Sequence, residues 1–119
     1  MSTTENEIKE FLEDNFQTGL IGYFDNNKEQ GEKAIVDRVG GKGSSPPPFI
    51  VDEDSRGYGK RYSVRITVVK AATDELPGQL LRNRSRIESN LLTAIRKLIT
   101  ENQPHWNASV IGKVTVEVK

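Results

Sequence analysis

Three arginines at alternating positions, Arg82, Arg84 and Arg86, are the side chains best placed to bind a charged partner. They crowd the first turns of a predicted helix, where the positive end of the helix dipole disfavours cations. Arg82 and Arg86 are also four residues apart, which places like charges side by side. Because local energetics does not favour this arrangement, we expect an acidic partner outside the helix. That partner is nucleic acid or a carboxylate segment of a neighbouring subunit; arginines simply extended into solvent remain the alternative.

A second charged cluster could supply those carboxylates. Asp52, Glu53 and Asp54 are followed by Arg56 and Lys60 in a predicted charged loop. Since no aromatic residues interleave with the arginines and the chain is neutral overall, we favour pairing between subunits over binding to nucleic acid. Carboxylates beside a lysine could also hold Mg²⁺ and polarise a phosphodiester. Their spacing matches no specific nuclease pattern, so a solvated acidic loop at a subunit or partner interface is the preferred interpretation.

The remaining candidates for chemistry are weak. His105 is the only histidine, and no second histidine or cysteine is present to complete a metal site. We expect His105 to be a structural loop residue, with Trp106 closing the end of the core. Residues 40–44 superficially resemble a phosphate-binding loop, but Lys42 is followed by Gly43 instead of Ser or Thr. The sequence therefore predicts no enzyme, no cofactor and no metal ligand.

The composition limits which partners and which cellular compartment are expected for the chain. The chain has 119 residues, with 17 basic and 17 acidic side chains, so it offers no general attraction to nucleic acid or anionic membranes. Only 34% of its residues are hydrophobic and 29% are charged, which favours a thin core or apolar surface completed by a neighbour. Low net charge mildly favours self-association. We expect no signal peptide, no membrane partner and a cytosol-like compartment.

Two helices are predicted from apolar residues at helical spacing. Residues 4–17 begin with a capping box at Thr4 and end before Gly19. Residues 79–102 form a long amphipathic helix, which Pro104 prevents from continuing. These two helices can cover one face of a sheet.

Strands are predicted from alternation of apolar and polar side chains. Residues 62–68 and 110–118 show this period of two clearly, as expected for half-buried strands. Short apolar runs at residues 20–24, 34–39 and 49–51 are weaker strand candidates.

Segments rich in glycine, proline or charged residues separate these elements, but they do not divide the chain into domains. A flexible Gly/Pro-rich loop is expected at residues 40–48 and a charged loop at residues 52–61. We therefore expect one α+β domain over residues 1–119. Its architecture should be a two-layer sandwich, with a mostly antiparallel sheet of about four strands and two helices packed on one face.

The order of elements resembles a known family. A proline-led short strand at residues 48–51 is followed by a charged loop, an arginine-containing strand at 62–69, a turn at 70–74 and a long helix. That helix carries Ile87-Glu88 and Leu91-Leu92. With the N-terminal helix opening directly onto short strands, the chain resembles the tail-terminator and tail-completion proteins of long-tailed bacteriophages, the minor tail protein U type of lambda-like phages.

This resemblance implies a structural protein of the virion. Members of the family have an α+β fold and assemble as a hexameric ring on the end of the tail tube. The ring halts polymerisation of the tube protein and presents a surface for joining the head. The implied partners are further copies of the chain, the tail tube protein and head–tail connector proteins, with DNA only passing through the lumen. The implied location is the phage tail or neck, assembled in the host bacterial cytoplasm.

A function of a different class stays open. A small phage-encoded nucleic-acid-binding protein or metal-dependent nuclease would use the three arginines on phosphates and residues 52–54 for metal. Such binding would depend steeply on salt concentration.

Overall fold

The described elements are two helices, two strands, a long helix and a last strand, in that order. The computed structural model describes residues 5–24, 28–41, 43, 45, 47–53, 61–69 and 76–119. Its elements, in chain order, are α1 (Glu5–Leu20), α2 (Gln30–Arg38), β1 (Phe49–Glu53), β2 (Tyr62–Val68), α3 (Leu76–Asn102), a 3₁₀ turn (Ala108–Val110) and β3 (Ile111–Val118).

The sheet has β2 at its centre, in the order β1-β2-β3. β1 pairs antiparallel with β2, so that Phe49 lies opposite Ile66. β2 pairs parallel with β3, and Ile66 lies opposite Val116. The α+β class is confirmed, but the expectation of about four mostly antiparallel strands is wrong: the described residues form a mixed sheet of three. Alternation identified the strands but carried no information on their direction, and a helix between two neighbouring strands permits parallel pairing.

One face of the sheet packs against the helices. The alternate residues of β2 that face them are all buried: Tyr62, Val64, Ile66 and Val68. α1 lies against β1 and α3 lies against β3, and the rings of Phe16 and Phe49 meet edge-on with centroids 5.1 Å apart. α2 packs on α1 and α3, so the described residues form three helices where two were expected.

The additional helix, α2, occupies a segment for which a strand was expected. Residues 34–39 lie largely within α2, whose buried positions Gly31, Glu32, Ile35 and Val36 follow helical spacing. The strand expected at residues 20–24 is also wrong, because Leu20 ends α1 and a turn follows. Short apolar runs fit a strand and a buried helix equally well. Packing against α3 favours the helix here.

Gly19 does not end α1, which continues to Leu20. A Cβ atom on Gly19 would lie 2.5 Å from Cδ1 of Leu98. The glycine therefore permits close packing of α1 against α3, and the expected stop at this position was wrong. Thr4, and with it the predicted capping box, lies outside the described residues.

The long helix is confirmed, with an earlier start and an interruption. α3 begins at Leu76, and Asn83 has non-helical angles, with φ −129° and ψ 23°. Two helical segments therefore meet at a kink. Within the described residues, no helix combines the length and the apolar character that a membrane span requires. The turn expected at residues 70–74 lies outside the described part of the chain.

The contact between α2 and α3 depends on Gly31. A Cβ atom there would lie 2.6 Å from Cδ1 of Ile87 and 3.1 Å from Oε1 of Gln79. We expect Gly31→Ala to lower the free energy of unfolding by about 1–2 kcal/mol, since overpacking outweighs the gain in helix propensity. Urea denaturation measures this. Gly41→Ala, which has open space around its Cβ, is the control and should cost nothing. Equal stability of the two variants would contradict the close approach.

Candidate interaction site on the third helix

The three arginines flank the kink in α3. Arg82 precedes Asn83, and Arg84 and Arg86 follow it. All three side chains are exposed. Since α3 begins at Leu76, the arginines lie further from its N-terminus than the sequence indicated, and the dipole at that end affects them less. Their surroundings differ, and so do the tasks they can perform.

Arg84 binds the edge of the sheet within its own chain. Its Nη1 donates to the carbonyl of Val116 at 2.8 Å and to Oε2 of Glu88 at 3.1 Å. The same Glu88 oxygen accepts the N–H of Val116 at 2.9 Å. Arg84 and Glu88, one helical turn apart on α3, therefore bind both the carbonyl and the N–H of Val116 on β3.

Arg96 repeats this arrangement at the other end of β3. Its Nε and Nη2 both donate to the carbonyl of Ile111, at 3.0 and 2.7 Å. Unpaired backbone groups on an edge strand are a template for aggregation. The side chains of α3 cover β3 against such pairing, and Arg84 is committed to this role.

Arg86 binds a buried acid that the sequence did not indicate. Its Nη2 lies 3.4 Å from Oε1 of Glu32, and Nδ2 of Asn90 donates to Oε2 of Glu32 at 2.6 Å. The side chain of Glu32 is fully buried, whereas that of Arg86 is 47% exposed. Both carboxylate oxygens are thereby satisfied, and α2 is fixed to α3. Sequence offered no signal for Glu32, because its partners lie more than fifty residues away along the chain.

Arg82 has no hydrogen bond or ion pair with any of the residues that the structure describes. It lines a cleft of about 260 Å³ between the start of α2 and the first half of α3. Every side chain of the lining is basic or an amide: Lys28, Gln30, Gln79, Arg82, Asn83 and Arg86. Beside Arg82, Leu81 is 87% exposed, the largest exposure among the large apolar side chains described.

Asp52 and Glu53 are exposed and lie in β1, at the edge of the sheet away from β3, where a loop was expected. Glu53 lies opposite Tyr62, at the same level of the sheet as Ile111. Arg84 binds β3 at the other end, at Val116. The acidic end of β1 and the first part of α3 therefore lie towards opposite ends of the sheet.

The rest of the predicted interface is outside the described residues. Asp54, Arg56 and Lys60 all belong to the undescribed segment 54–60, so the metal-binding arrangement considered for this segment is not placed. Within the described ranges, no group of three or more histidine, aspartate or glutamate side chains could hold a metal ion. His105 is exposed, and Trp106 packs edge-on against Phe11 at the end of the core, with ring centroids 5.5 Å apart.

No protein-family model, no curated protein and no solved structure matches the chain.

The bond network around Glu32 predicts a specific loss of stability. We expect Glu32→Ala to lower the free energy of unfolding by about 1–3 kcal/mol, because Asn90 and Arg86 lose their acceptor. The loss of stability is smaller than for a fully buried ion pair, because the exposed guanidinium of Arg86 is hydrated in the variant. Denaturant unfolding measures it. Asp37→Ala, on the same helix, removes an exposed pair with Lys33 and should cost less than about 0.5 kcal/mol. A similar cost for both variants would refute the role of Glu32.

Protection of the β3 edge by α3 is testable at a single amide. In Glu88→Ala the N–H of Val116 loses its acceptor. We expect its hydrogen exchange to accelerate by at least about tenfold, because hydrogen bonds to charged groups contribute roughly 1.5–3 kcal/mol. Native-state exchange followed by NMR measures the rate. The control is Glu101→Ala at an exposed site near the end of α3, which should leave this amide unchanged. Unaltered exchange in Glu88→Ala would exclude the protective role.

Proposed function

We propose that this protein is a structural component that assembles head-to-tail into a ring. On the resemblance to phage tail terminators, the ring closes the head-proximal end of a tail tube. It ends polymerisation of the tube protein and offers the head–tail connector a surface to join. The ring is a hexamer, and DNA passes through its lumen.

The observation that carries the assembly is the separation of two complementary charges. Arg82 has no partner among the described residues, and Asp52 is exposed and likewise lacks one there. They lie towards opposite ends of the sheet, so they do not pair within one chain. A contact that joins one patch of a molecule to a different patch of the next generates a ring when the rotation closes. Arg82 against the neighbour's Asp52 is such a contact.

The outer edge of β1 supports the same arrangement. The N–H of Thr67 donates to the carbonyl of Pro48 at 2.9 Å. Since bonded and non-bonded pairs alternate in antiparallel strands, the backbone groups of Phe49 and Val51 point away from β2. No side chain of the described residues binds them, in contrast to Val116 on β3. β1 is therefore the edge left available for a neighbour, by strand addition or by close packing.

Leu81 adds an apolar contact beside the charged one. It is 87% exposed and adjacent to Arg82. Interfaces commonly combine an apolar anchor with arginine at their centre. The first segment of α3 thus carries both kinds of side chain that a subunit contact uses.

Nucleic-acid binding is the second candidate, favoured by the three basic side chains that share one cleft. Binding along a nucleic acid uses an extended basic surface. Because the basic residues here form a single cleft and the chain is neutral, this candidate ranks below the ring. Steeply salt-dependent affinity for DNA or RNA would favour this candidate.

Charge reversal and rescue test the ring. We expect wild-type protein to form a hexamer, and Arg82→Asp and Asp52→Arg each to raise the concentration for half-assembly by about tenfold or more, because each creates like-charge contacts. The double variant Arg82→Asp/Asp52→Arg should restore assembly. Light scattering coupled to size exclusion measures the mass, with and without tail tube protein.

Lys113→Asp provides the control, since Lys113 is exposed on the face of the sheet opposite the helices. It should assemble like the wild type. A monomer at every concentration, with or without tube protein, would overturn the ring. Assembly that the double variant fails to restore would overturn the pairing of Arg82 with Asp52.

A further inference from the structure

The cleft between α2 and α3 holds one positive charge that no described residue neutralises, that of Arg82. Nη2 of Arg86 binds Glu32, and Arg82 has no partner among the described residues. Lys28 completes the basic lining. Glu32 offsets the charge of Arg86 from behind the cleft, whereas no described residue offsets that of Arg82.

The amide side chains give the cleft directional donors as well as charge. Gln30, Gln79 and Asn83 each present an NH₂ group able to donate. Nε2 of Gln79 lies 3.4 Å from Oε1 of Gln30, which holds these two amides across the opening. Arginine forks and amide donors together match the several acceptor oxygens of a tetrahedral or carboxylate anion.

We propose that this cleft is an oxyanion-binding site, which takes a single phosphate or carboxylate group. Arg82 is the principal ligand, and Arg86 contributes the nitrogens that Glu32 leaves unused. The cleft of about 260 Å³ is smaller than the roughly 300–1,000 Å³ of pockets for drug-sized organic ligands. It suits one anionic group with its hydration, and it lacks the aromatic side chains on which nucleic-acid bases stack.

The oxyanion has two possible sources with the same chemistry. One is a free phosphate or phosphomonoester in solution. The other is the carboxylate of Asp52 on a second copy of the chain, an identification that rests on the proposed ring. The two sources differ in one consequence: added phosphate competes with assembly only if a neighbour's carboxylate occupies the cleft.

Phosphate titration tests the site directly. NMR follows the side-chain amide signals of Gln30, Gln79 and Asn83 while sodium phosphate replaces sodium chloride at constant ionic strength. Two or three charge-assisted hydrogen bonds imply a Kd on the order of 1 mM. The titration uses wild-type protein and Asp52→Arg, whose cleft is intact and whose contact carboxylate is removed. We expect Arg82→Gln to weaken binding by at least about tenfold, and Arg65→Gln, an exposed arginine on the helix-free sheet face, to retain it.

The outcomes separate this site from the ring. Binding in both wild type and Asp52→Arg, lost in Arg82→Gln, supports the site whether or not the chain forms a ring. Phosphate that also lowers the mass of the wild-type assembly identifies the neighbour's carboxylate as the ligand, and an unchanged mass identifies free phosphate. Absence of a phosphate-specific shift in both proteins, or an equal shift in Arg82→Gln, overturns the proposal while leaving the ring to the mass measurement.

Discussion

Parallel pairing of β2 with β3 is the constraint on which the rest of this structure depends. Strands that run in the same direction need a connection that returns the length of the sheet, and α3 provides it. The part of α3 from Arg84 to Arg96 therefore lies along β3, where one side of the helix covers the strand edge. Another side remains to receive α2. Each arginine on this helix acquires its role from the side on which it falls.

The polar contacts of α3 show how a small core keeps its buried groups satisfied. Glu88 and Arg84 bind the outer backbone of β3, and Asn90 with Arg86 satisfies Glu32. Among the described side chains, no buried polar atom lacks a hydrogen-bond partner. Since an unsatisfied buried group costs about 1–3 kcal/mol, these contacts also determine where α2 and β3 can lie. Arg82 makes no such contact with any described residue.

The proposed function rests on backbone and charged groups that no described residue binds. One edge of the sheet is covered by α3, whereas the backbone of Phe49 and Val51 on the other edge is not bound by any described side chain. The basic cleft and the acidic end of β1 lie towards opposite ends of the sheet. An asymmetric pair of complementary surfaces is what a closed ring requires of each subunit. An oxyanion site in the cleft would make that contact responsive to competing anions.

The sequence by itself determined the α+β class, the strands β2 and β3 and the long α3, because their residues repeat with the period of one structure; β1 was expected only from a short apolar run. Short segments were misjudged: α2 was expected to be a strand and Gly19 to end a helix, since local pattern does not include the neighbour that each must contact. Only the tertiary structure decided the parallel direction of β3 and the separate roles of Arg82, Arg84 and Arg86. The physical reason is the same in both cases. Charged side chains and strand edges are satisfied by partners distant in sequence, such as Glu32 and Val116, and spacing along the chain carries no record of them.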